Sequence, residues 1–140
     1  MTWHIFYNSD KKIVWSTTSN IDSNVITEQA NEGLSYLSKD TDNAPSPDIY
    51  WVNSGGTDIE EMTTFAPSFS SKTPAIDDTV TITGLPSGTE VFVDNVSKGT
   101  MNSTSLSFSC DEPGKYKIQF SKLGYKYHSP EYINVKRYGE

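Results

Sequence analysis

Between Thr79 and Arg137 the sequence alternates apolar and polar residues in five short runs, "TVTITG", "TEVFVDN", "STSLSFSC", "KYKIQFSK" and "EYINVKR". Their spacing is the roughly 8–12 residues of an antiparallel sandwich. Val80 and Ile82, Val91 and Val93, Leu106 and Phe108, and Tyr116, Ile118 and Phe120 each recur at period two, so every run has one apolar face and one wet face. Gly84, Gly88, Gly99, Gly114 and Gly124 are expected in the turns between runs. None precedes a helix after a strand, as a phosphate-cradling glycine loop requires.

The chain has 140 residues, room for one ordinary domain or two small ones. Apolar residues make up 34%, below the usual globular share of roughly 45–50%, while aromatics reach 12%. Rich in Tyr, Phe and Trp, such a chain reads as β-rich with a thin core. The single cysteine, Cys110, forbids an internal disulfide, so the fold is expected not to need an oxidising compartment. Net charge is −7, of which residues 1–73 carry −6 (four Lys against ten acids) and residues 74–140 carry −1 (seven Lys and Arg against eight). Without a basic cluster, nucleic acid is an unsuitable partner. No run reaches the ~18 apolar residues of a membrane span, and no secretory leader is visible, so neither membrane insertion nor glycosylation at Asn95 or Asn102 is expected.

A change of composition marks a boundary. "MTTFAPSFSSKTP" holds two prolines among Ser and Thr, the composition of a linker or extended arm, assigned to 63–74. Ahead of it, 1–62 reads as a small α+β unit of ββαβ type. "TWHIFY" and "KIVWSTT" form a hairpin with Trp3 and Trp15 on neighbouring strands. Val25, Ile26, Ala30, Leu34 and Leu37 predict one helix of about three turns, capped by Thr27 and weakened by Gly33. Ile49 to Val52 predicts the third strand, followed by a Gly-Gly turn. Residues 75–140 then form the β-sandwich.

Chemistry has few candidates. His4 and His128 fall in different predicted domains without partners at metal-ligand spacing, and Cys110 has no nearby His, so no catalytic, cofactor or metal site is predicted. Asp77 with Asp78, and Asp58 with Glu60 and Glu61, lack the Asp-x-Asp-x-Asp-Gly pattern of a Ca²⁺ loop and read as solvated acids. Aromatics are the stronger candidates. Trp3, Phe6, Tyr7, Trp15, Tyr50 and Trp51 either fill one thin core or leave some members exposed as a contact surface. The candidate interaction surface therefore comprises Trp3, Trp15, Tyr50 and Trp51, Phe65 and Phe69 of the arm, and Tyr125, Tyr127 and Tyr132. The last three stand near Lys126 and His128 and suit stacking on a sugar or a partner protein.

"GLPSGTEVFVDN", then "EPGKYKIQFSKLGYKYHSPEYINV", resembles PEGA-type and related immunoglobulin-like sandwich modules over about residues 79–135. The shared features are a Pro-x-Gly turn (Pro86, Gly88) into Val91-x-Val93, a Pro113-Gly114-x-Tyr116-x-Ile118 strand, and the Gly124-Tyr125 turn. The resemblance implies a non-catalytic adhesion or spacer module, with no functional residues to carry over. The whole layout, an α+β head, a Ser/Thr-rich arm and one such module, resembles small accessory virion proteins of tailed bacteriophages. It implies a capsid-decoration, neck or tail component, made in the host cytoplasm and carried in the virion. Head and arm would dock on other virion proteins in a symmetric assembly. The alternative is a free-standing carbohydrate or cell-surface binding module with a host-surface glycan as partner.

Overall fold

The computed structural model describes residues 1–137; the last three residues of the predicted sandwich lie outside them. The chain divides into two compact units, Met1–Thr63 and a second beginning at Thr64.

The first unit is built on β1 (Thr2–Tyr7), which pairs antiparallel with β2 (Ile13–Thr17). Asn8 turns the chain between them, its side-chain oxygen accepting from the backbone N–H of Asp10 and Lys12 at 3.0 Å. The helix α1 (Ser23–Asn31) is shorter than predicted and starts earlier. Asp22, not Thr27, is its N-cap, accepting from the N–H of Asn24 and Val25. Gly33 does more than weaken the helix. At φ +87° it adopts the left-handed conformation that only glycine takes cheaply. There Gly33 N–H bonds Ala30 O and Leu34 N–H bonds Gln29 O, a Schellman stop.

Released from the helix, Leu37 lies in β3 (Ser35–Asp40), which pairs with the other side of β1 to give the sheet β2-β1-β3. The third strand of the sheet is therefore β3 and not Ile49–Val52. That predicted strand exists as β4 (Tyr50–Val52), but it forms a separate hairpin with β5 (Ile59–Glu61), joined to the β2 end by a bridge between Lys12 and Trp51. Ile5, Phe6 and Tyr7 are consecutive and all buried, so both faces of β1 are covered. Ile5 and Tyr7 pack with Ile13 and with Val52 of the hairpin. On the opposite face Phe6 stacks on Trp15, whose indole N–H donates to Gln29 Oε1 of α1.

The second unit contains β6 (Ser68–Phe69), β7 (Val80–Thr83), β8 (Glu90–Val93), β9 (Val96–Thr100), β10 (Leu106–Phe108), β11 (Gly114–Ser121) and β12 (Glu131–Val135). All five predicted runs are strands; together with β6 and β9, which the alternation did not mark, they form two antiparallel sheets, β10-β7-β6 and β12-β11-β8-β9. Their inward faces hold the core: Val80, Ile82, Val91, Ile118, Phe120, Ile133 and Val135. Tyr116, near the start of β11, donates its hydroxyl to Glu112 O, 2.9 Å away and four residues upstream. That bond ties the start of β11 to the loop before it, as a tyrosine corner does in a β-sandwich.

Two details differ from the sequence reading. The β8–β9 turn is Asp94-Asn95, both at positive φ, while Gly99 lies within β9 and Gly114 opens β11. More consequentially, residues 64–74 are no arm. Phe65 is only 4% exposed in the sandwich core, and β6 pairs with β7. The chain then crosses to the other sheet: Asn134 N–H donates to Lys72 O, Lys136 N–H to Pro74 O, and Ile76 N–H to Lys136 O. Proline and serine suit this segment because it changes sheets and cannot remain in one ladder.

Candidate interaction surfaces

In the first unit the predicted surface aromatics are mostly absorbed by packing. Trp15 is half-buried, its ring 4.5 Å from Phe6 and its N–H satisfied by Gln29. Trp3 and Tyr50 pack against the Ile5 cluster, and the buried Trp3 Nε1 has no hydrogen-bond partner among the described residues. Trp51 is half-buried at the bridge to Lys12. His4 Nδ1 lies 2.7 Å from the Tyr36 hydroxyl with the two rings stacked, an arrangement that positions β3 on β1.

In the second unit, Phe65 leaves the candidate surface for the core, and Phe69 and Tyr125 are half-buried against it. Phe65 stacks on Tyr125 at 4.7 Å and tilts on Phe120 at 6.2 Å, and Phe69 lies 6.4 Å from Phe120. Stacked and tilted rings at these separations add favourable aromatic contact to apolar burial. His128 borders the same cluster and faces Glu131 Oε2 at 3.1 Å; Lys72 Nζ holds the other oxygen at 2.8 Å. Burial raises the Glu131 pKa, but hydrogen bonds from Lys72 and His128 outweigh it and hold the carboxyl below the ordinary range. Tyr127 and Tyr132 remain on the surface, at 78% and 42% exposure. Lys115 Nζ sits 4.4 Å from the Tyr132 ring centroid, a cation–π contact.

The acids have structural work. Asp58 pairs with Lys39 at 2.9 Å, and Asp78 accepts from Ala75 N–H. The hydrogen bond from Lys39, then that from Ile59 N–H, lowers the Asp58 pKa. Cys110 is half-buried, and burial, followed by the charges of Asp111 and Asp94, pushes its thiol up, the wrong direction for a nucleophile. Among the described residues no group of three or more His, Cys, Asp or Glu is placed to hold a metal ion, and no helix is long and apolar enough to cross a membrane.

One feature escaped the sequence reading. A half-open cleft of about 580 Å³ lies between the edge strands β10 and β9, lined by Val93, Met101, Leu106, Phe108, Tyr116 and Cys110 among others. Period two marks Leu106 and Phe108 as inward-facing, but only the sheet order reveals that no described strand closes over them. No protein-family model matches the sequence, and neither a curated protein nor a solved structure matches the chain.

Proposed function

We propose that the protein is a non-catalytic structural component of a tailed-phage particle, docking on other virion proteins through its first unit and presenting the immunoglobulin-like sandwich. The observation that carries the non-catalytic reading is that both histidines and the single cysteine are taken up in packing and pairing. His4 is engaged by Tyr36, His128 by Glu131 and the Phe65–Phe120 cluster, and the Cys110 thiol is held protonated. A tyrosine-cornered sandwich with these residues in packing roles supports display and contact. The virion context comes from the resemblance of the layout to accessory virion proteins, of which the α+β head and the sandwich remain while the arm is absorbed into the sandwich. Because residues 64–74 belong to the sandwich, docking is assigned to the first unit alone.

The test is an antibody against the sandwich, applied to particles purified from a lysed host culture. Regularly spaced label on intact particles is expected; recovery of the chain solely in the soluble fraction would overturn the reading. Tyr127 and the Lys115-backed Tyr132 favour a second reading, a glycan-binding module. Soluble glycans that shift the resonances of these two tyrosines would promote it over the first.

A further inference from the structure

Four strand edges bound the sandwich, and three are protected. The β12 edge is covered by residues 72–76, β6 is two residues long, and β9 carries Lys98, Gly99 and an irregular register against β8. Strand β10 differs. Among the described residues, Leu106, Ser107 and Phe108 pair with β7 on one side only, without a charge, proline or bulge. Beside that free edge lies the apolar cleft. An unpaired backbone next to a trough for alternate side chains is the arrangement that recognises an extended peptide by strand addition. A compact ligand would use the trough and leave the edge unsatisfied.

Charge defines the occupant further. Asp111 lines the cleft where β10 ends and Lys98 lines it from β9; just outside the lining, Asp94 stands at the neighbouring β8–β9 turn and Glu112 follows Asp111, so the β10 end of the cleft is the acidic one. Among the described residues none of the three carboxylates is in an ion pair. A second copy of this chain, at net −7, brings repulsion to such an edge.

We propose that the β10 cleft receives an extended segment of another protein, added antiparallel to β10, with alternate apolar side chains in the cleft and Lys or Arg at its N-terminal end. Antiparallel addition continues the sheet's own pattern and sets the segment's N-terminus beside Asp94, Asp111 and Glu112. The proposal goes beyond the virion reading and stands without it.

The experiment titrates the isotope-labelled full chain with a capped peptide, Lys-Lys-Val-Thr-Val-Thr-Val, and follows backbone amide resonances. Shifts centred on Leu106 to Cys110 are expected. The same peptide with Glu replacing Lys should bind about tenfold more weakly, and a version N-methylated at alternate residues should lose binding because it lacks ladder donors. Asp111→Lys, at an exposed position, should weaken the lysine peptide several-fold with an unchanged circular dichroism spectrum. Four results overturn the proposal: no shifts at millimolar peptide, shifts away from β10, equal binding of the N-methylated peptide, or self-association through β10 in the free chain. Particle labelling reads the virion assignment separately, so either idea can fail alone.

Discussion

The two sides of the sandwich make opposite use of the same problem, the gap where two sheets end. On one side residues 64–76 run from the β7 ladder across to β12, carrying Phe65 into the core and burying Pro74. On the other, the chain passes directly from β9 to β10, and Leu106 and Phe108 are left half-buried over a cleft. A single stretch of backbone thus separates a closed core from an accessible one. Closure supplies stability, and the side left open is the one free to bind.

The sharpest test of this contrast is a matched pair of truncations. Phe65→Ala should cost about 3–5 kcal/mol, because a buried ring leaves a cavity; Phe108→Ala should cost about 1–2, because its ring already borders open space. Urea denaturation of both variants reads the difference, and equal costs would erase the distinction between the sides. Gly84 probes the closed side's backbone. It sits at φ +81°, and a Cβ there would lie 2.6 Å from Ala66 O. Gly84→Ala should therefore cost about 2–3 kcal/mol, combining left-handed strain with a backbone clash. A thermal scan showing no loss would mean that residues 64–67 are held less tightly than described.

At the margin of the open side, Tyr116→Phe removes the corner hydrogen bond to Glu112 O and should cost about 1 kcal/mol. Faster amide exchange at the start of β11 is the accompanying signature, and unaltered exchange there would show the corner to be ornamental. The smallest effect belongs to Glu131 on the closed side. Its folded-state pKa is depressed below the ordinary 4.5, so its contribution is complete above that value and disappears as pH falls through the lowered one. Stability measured against pH should decline in that acid window for the native chain and more shallowly for Glu131→Gln.

Much of the second unit was legible because period-two alternation survives translation into strands: Val80, Ile82, Ile118 and Phe120 face inward where the pattern places them. Residues 64–74 were misread for an equally physical reason. Pro and Ser/Thr disfavour a long regular ladder, and both a linker and a strand that changes sheets satisfy that constraint. In the first unit the apolar spacing continued past Gly33 to Leu37, and only the Schellman stop turned the second half into β3. The surface aromatics were the least legible. Tyr127 is exposed and Tyr125 is stacked on Phe65, two residues apart in one loop where no periodicity applies.

By itself, then, the sequence determined the local choices: where strands alternate, that Gly84, Gly88 and Gly124 turn the chain, and that the protein is mainly β with a helix in its first unit. Tertiary structure alone decided which strands became edges, that Phe65 is core, and that β10 keeps an open cleft beside it. The reason is range. Alternation and turn chemistry act over a few residues, whereas an edge exists or not according to which distant segment pairs there, as Lys72 does with Asn134.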